Sequence, residues 1–236
     1  MLVLSERLDF RRDLGEKLGD WLRKTLERAS GGRRVEVDKT GEGWMLVNSE
    51  DEPLLRTLIR LETDMDPVAE GKPPYTARVE EISEKSIKLA YPAPNGRTIR
   101  KTLSLRSFSA ALGYDFEDPR RALEGVGVFR GSAVSIAAEA PSTLQVRFAR
   151  RVELKGLDLL FVLNAAPQEV DEVLNRREIA GLIAEHQQLT LTVHVLYVRL
   201  GVGLEKAYER VRERFEELSG EIVIKPAPWI GMLRAR

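Results

Sequence analysis

Residues 74–152 arrange their short apolar runs in an order that few folds allow. Three alternating runs at 77–82, 85–91 and 97–104 precede a helical patch over 105–113. Two more runs follow at 132–138 and 143–150. Alternation gives each strand one apolar face. Five short strands with a helix between the third and fourth form the element order of a five-stranded OB/S1-like Greek-key β-barrel. That architecture binds oligonucleotides and oligosaccharides, so the order predicts a binding module rather than a catalytic pocket. The third run is reached through the loop 91–96, whose Asn95-Gly96 pair suits the positive φ of a tight turn.

The flanks read as two small α+β units. At the N-terminus, 2–4 is a short strand and 9–29 a helix, with Phe10, Leu14, Leu18, Trp21, Leu22 and Leu26 at helical spacing and Gly31-Gly32 beyond. Runs 34–38 and 44–48 follow as strands. A second helix starts after Ser49, with Glu52 completing a capping box, Pro53 early in the helix, and Leu54, Leu55, Leu58 and Leu61 facing inward. Residues 64–74 hold Pro67, Gly71, Pro73 and Pro74 and read as a linker. At the C-terminus, the apolar run 157–164 predicts a buried strand, and Pro167 opens a short helix to about 177. An edge strand at 182–187 and a half-buried strand at 189–200 come next, then a helix over 204–218 and a strand at 221–225. That order is the ferredoxin-like split β-α-β arrangement, and the N-terminal unit shares its β-α-β-β-α portion. The expected architecture is therefore α+β: a central barrel (74–152) between two small βαββα, ferredoxin-like units (1–66 and 153–236), with 67–73 as linker.

Of the 236 residues, 43% are hydrophobic and 31% charged, the balance of a folded soluble protein. The chain has no cysteine, which removes disulfides, thiolate metal ligands and thiol nucleophiles. With abundant Glu and Arg, this fits an intracellular, heat-adapted protein. No apolar run approaches the roughly 20 residues that span a bilayer, and the first residues lack the pattern of a signal peptide. The expectation is a cytoplasmic protein with no membrane partner. The formal net charge is zero, but residues 73–155 carry a net +5 and residues 35–72 a net −6. A local basic excess attracts phosphate within about one Debye length, ~8–10 Å, even on a neutral molecule.

The cations of that excess are the candidate nucleic-acid site: Lys85 and Lys88 in the second run, Arg97, Arg100 and Lys101 in the third, and Arg147, Arg150 and Arg151 in or after the fifth. Strands 2 and 3 with the neighbouring loops form the usual binding face of such barrels. Tyr91 is the one aromatic of these two runs, so phosphate contacts rather than base stacking would carry affinity. Elsewhere the sequence is poor in chemistry. His186 and His194 are the only histidines, with no metal-ligand spacing around them, so no metal is expected. Gly201-Val202-Gly203 joins a strand to a helix but lacks the third glycine of a dinucleotide loop, so no cofactor is expected. No Gly-x-Ser-x-Gly elbow is present, and no catalytic residue is assigned.

The three-part layout resembles an uncharacterised archaeal protein family of similar length. The resemblance is carried by Ser49-Glu50-Asp51-Glu52, by Leu105-Arg106-Ser107-Phe108 through Leu112-Gly113, and by Gly156-Leu157-Asp158. It implies a shared layout and no activity. The sequence thus predicts a non-enzymatic protein that binds RNA or single-stranded DNA, in translation or transcription. A protein partner or a second copy of the chain is the alternative, motivated by the apolar tail Trp229-Ile230-Gly231-Met232-Leu233.

Overall fold

The structure, a computed structural model, describes residues 1–30, 34–111, 123, 127–139, 144–147 and 157–227. It is a mixed α+β protein with three antiparallel sheets, and six helices among the described residues.

The N-terminal sheet has the order β1-β3-β2, from β1 (Leu2–Arg7), β2 (Val35–Lys39) and β3 (Trp44–Ser49). Helix α1 (Leu14–Ser30) lays Leu14, Leu18, Leu22 and Leu26 on this sheet at i, i+4 spacing, all fully buried. Helix α2 (Glu52–Glu62) adds Leu55 and Ile59, which leaves Leu61 on the far side of the helix and 75% exposed. Its cap is Asp51 rather than Ser49: the Asp51 side chain accepts from Leu54 N at 3.0 Å, and Ser49 Oγ accepts from Asp51 N. Helix α1 starts at Leu14, later than its periodicity predicts, because Arg11 is drawn into a buried ion pair described below. Residues 67–69, read from the sequence as linker, run along the free edge of β1. Ser5 N donates to Pro67 O, Ala69 N to Val3 O, and Leu4 bridges Val68.

The central sheet has the order β6-β5-β4-β7-β8, every pair antiparallel: β4 (Tyr75–Ile82), β5 (Ser86–Pro92), β6 (Thr98–Ser104), β7 (Ala133–Glu139) and β8 (Leu144–Arg147). Helix α3 (Leu105–Ala111) follows β6, and Phe108 packs with Ile87, Leu89, Val134 and Ile136. Among the described residues β6 and β8 do not pair, and no closed barrel is formed. At the β5–β6 tip only Gly96 of the Asn95-Gly96 pair has positive φ, and Ala93 closes the loop by bonding Arg97 and Gly96.

The C-terminal sheet has the order β10-β11-β9-β12, again wholly antiparallel: β9 (Leu159–Leu163), β10 (Ile183–Gln188), β11 (Val193–Val198) and β12 (Val223–Ala227). Helices α4 (Pro167–Leu174), α5 (Arg177–Ala180) and α6 (Leu204–Leu218) contribute to the core on one face, with Leu160, Val162, Leu196 and Val198. The predicted half-buried strand at 189–200 is in fact buried on both faces. Its other face, with Val193, Val195 and Tyr197, joins Phe161 and Leu163 against Phe129 and Ala133 of the central unit. The strand begins only at Val193, because residues 190–192 leave it to meet the N-terminal unit.

That inter-sheet contact requires glycine at one point. Gly127 has φ +78°, and a Cβ there would lie 1.9 Å from Phe161 Cζ. Gly127→Ala should lower stability by about 1–3 kcal/mol through strain and overpacking. A loss of that size in the stability measured by urea unfolding, partly reversed by Phe161→Leu in the same chain, is the expected result. An unchanged midpoint would refute this packing.

Candidate nucleic-acid interface

The central sheet separates the predicted site residues into distinct environments. Lys85 lies exposed in the β4–β5 turn, where its carbonyl accepts from Leu105 N at 2.9 Å. Lys88 and Arg100 are exposed but engaged: Lys88 Nζ reaches Glu81 Oε2 at 2.5 Å, and Arg100 holds both oxygens of Glu80 at 2.9 and 3.2 Å. The Glu80 carboxylate raises the Arg100 pKa above its ordinary value. Lys101 stands opposite Leu89 in register, on the column of β6 that faces the core, and is half-buried. Arg97 is exposed at the opposite end of the sheet. Arg147 lies in β8, and Arg150 and Arg151 fall outside the described residues.

Part of the expected face is occupied by the protein itself. Ala90 of β5 packs on Val3 and Trp44, and Trp44 Nε1 donates to Thr98 Oγ1 at 2.8 Å. Thr98 N donates to Glu42 Oε2 at 2.8 Å, and contacts with Thr98 hold that carboxyl below its usual range. The N-terminal unit therefore closes the β5–β6 face near Arg97, where sequence reasoning had placed it open to a ligand.

Other cations complete the opposite end. Arg106 begins α3 beside Leu105, whose N–H bonds the Lys85 carbonyl. Arg130 lies in the turn before β7, closed by Ser132 N on Phe129 O at 3.0 Å and tied to β4 by Gly131 N on Val79 O at 2.8 Å, and it lines one cleft with Glu80, Glu81 and Ile82. Lys225 of β12 lines the same cleft as Ile82 and Arg130. Lys85, Arg106, Arg130 and Lys225 are all exposed, and none has an ion-pair partner among the described residues. Arg106 was visible as a cation at a helix start. Arg130 and Lys225 were not visible as neighbours, because their positions depend on strand pairing and on the docking of another unit.

Two buried ion pairs join the three units at their centre. The Arg78 guanidinium of β4 donates from Nε to Ser5 O at 2.7 Å and to Thr190 Oγ1 and Thr192 Oγ1 at 2.9 and 3.0 Å. It also binds Glu6, whose other oxygen accepts from Leu191 N at 2.8 Å. Burial pulls the Arg78 pKa down, against the pull of Glu6. Arg11 grips both oxygens of Glu169 at 2.6 and 2.7 Å and Asp13 at 2.6 and 2.8 Å. Burial opposes charge on Arg11, but the two carboxylates outweigh it and raise its pKa. These groups are saturated by one another, which makes them structural joints.

The two histidines meet across the β10–β11 pair. His186 Nε2 and His194 Nδ1 lie 3.1 Å apart, and His194 Nε2 faces Ala165 O at 3.1 Å. The carbonyl can only accept, so His194 carries its proton on Nε2. Its bare Nδ1 then accepts from His186. Among the described residues no three His, Asp or Glu side chains gather as a metal site. No described helix is long and apolar enough to cross a membrane. No protein-family profile, curated protein or solved structure matches this chain.

Proposed function

We propose that the protein is a non-enzymatic binder of RNA or single-stranded DNA, holding phosphates at the α3 end of the central sheet. The observation that carries this reading is the division among the cations. Lys88 and Arg100 are neutralised by Glu81 and Glu80, whereas Lys85, Arg106 and Arg130 stand exposed at one end, without carboxylate partners among the described residues. Free cations release counterions from a phosphate chain; paired ones must first break a salt bridge. The strand order β6-β5-β4-β7-β8, with α3 between β6 and β7, supports the reading. It is the order of an OB/S1-like Greek key before closure, and the β10-β11-β9-β12 order is that of a ferredoxin-like unit. Sequence-independent binding of this kind suits a role in translation or transcription.

The test is fluorescence anisotropy with a labelled single-stranded oligonucleotide across roughly 50–200 mM salt. Three phosphate contacts give a slope of log affinity against log salt near −2, from about −0.7 per contact. Lys85→Gln and Arg106→Gln should each weaken binding and flatten the slope by about 0.7–1. Lys88→Gln should leave the slope unchanged. Absence of binding at the lowest salt would defeat the proposal.

A further inference from the structure

A cleft of about 490 Å³ opens where the C-terminal end of β4 meets β12 of the neighbouring sheet. Its volume lies within the ~300–1,000 Å³ range of small-molecule sites, and junctions between units are common places for them. One part of its lining is apolar: half-buried Ile82 and the half-buried ring of Phe129, which is fixed edge-on against Phe161 with centroids 5.8 Å apart. Another part is cationic, with Arg130 and Lys225 both exposed and without partners among the described residues. The carboxylates of Glu80 and Glu81 also line it, but both are engaged. Arg100 holds Glu80 through two hydrogen bonds, and Lys88 holds Glu81. The two charges left uncompensated are therefore positive, and they stand beside a small apolar wall that includes an aromatic ring.

We infer that this cleft binds one nucleoside phosphate, with the base against Phe129 and Ile82 and the phosphate held by Arg130 and Lys225. Phosphate alone would leave the apolar wall unused, and an apolar ligand alone would leave two cations unmatched. The inference rests on the strand-binding reading only through Arg130. The nucleotide can be free or can be one unit of a bound strand, and the chemistry of recognition is the same.

The experiment measures binding of AMP, ribose 5-phosphate, a labelled oligonucleotide and an abasic strand of equal length. The proteins are the full chain, Arg130→Gln/Lys225→Gln and Lys85→Gln/Arg106→Gln. The substituted side chains are exposed, and a circular-dichroism melt confirms that each variant folds. The expected result is that AMP binds, that ribose 5-phosphate binds at least about tenfold more weakly, and that the Arg130/Lys225 variant loses at least about tenfold for AMP. Binding of the oligonucleotide alone also supports the inference if it weakens about tenfold in the Arg130/Lys225 variant and on removal of the bases; the source is then a strand. Equal binding of AMP and ribose 5-phosphate overturns it, as does an Arg130/Lys225 variant indistinguishable from the parent with every probe. If AMP binds and no strand does, the cleft stands and the strand-binding reading falls. If strands bind, depend on Lys85 and Arg106, and ignore Arg130 and Lys225, the reverse holds.

Discussion

Arg78→Met should cost about 3–5 kcal/mol, because it leaves the Glu6 carboxylate buried without its cation. Arg78 has 4% of its side chain exposed and Glu6 none, so neither charge can recover its hydration. Methionine matches the arginine stem in bulk and shape, which confines the loss to the missing guanidinium and the acceptors it satisfied: Ser5 O, Thr190 Oγ1 and Thr192 Oγ1. Arg78→Lys should recover only part, since one ammonium cannot reproduce a planar fork that serves five acceptors, the Gly131 carbonyl included. Glu6→Gln/Arg78→Met removes both charges, and its cost should fall well below the sum of the single changes, with a coupling on the order of 2–3 kcal/mol. Urea unfolding followed at several wavelengths measures each term. A loss under about 1 kcal/mol for Arg78→Met would show that the pair is not desolvated as described.

The effect reaches beyond one contact because the pair joins all three units. Glu6 lies at the end of β1, Arg78 in β4, and Leu191 and Thr192 in the loop before β11. The pair therefore fixes the orientation of the C-terminal sheet on the central one, and with it the cleft between β4 and β12. Arg11 with Glu169 joins the first and last units in the same way, and Lys17 adds a second cation to Glu169 at 2.8 Å.

Element order was legible from the sequence because it depends on local periodicity. The i, i+4 leucines of α1, the alternation in β4, β5 and β6, and the apolar run of β9 each reflect a single face or strand, and they survive in the structure. The joints were not legible. Glu6 and Arg78 are 72 residues apart, Arg11 and Glu169 158 apart, and each reads locally as one more solvated charge. The candidate site was only partly legible for a similar reason. Alternation gives no sign of the bulge between Val79 and Glu81, which puts two consecutive carboxylates on the face of Lys88 and Arg100. Two of the best predicted cations are neutralised by that single irregularity. Their exposed counterparts, Arg130 and Lys225, without partners among the described residues, come to line one cleft only after two sheets have docked.

Acidification between pH 7 and pH 5 should destabilise the protein by about 2 kcal/mol, through His194. The ring is fully buried, and its pKa is pushed down from 6.5 to about 3. Burial is the largest cause and the neighbouring His186 the next; the Ala165 carbonyl opposes them, and Arg78 adds a smaller downward pull. The unfolded chain takes up a proton on this histidine as pH falls through about 6.5, whereas the folded chain does not until about 3. The stability is thus complete above pH 6.5 and declines by about 1.4 kcal/mol per unit as pH falls towards 3. His186 adds to the decline, since burial depresses its pKa too, against the pull of Asp171. The depressed carboxyls of Glu169 and Asp13 lose their stabilising effect only as pH falls below the ordinary carboxylate range, so the interval from pH 7 to 5 isolates the histidines. His194→Asn keeps an N–H donor and does not titrate, so its stability should vary much less over that interval, whatever its value at pH 7. Urea midpoints at half-unit steps of pH give both slopes. A parent protein equally stable at pH 7 and pH 5 would mean that the unfolded chain and the native ring take up protons alike, which the buried His186–His194–Ala165 chain forbids.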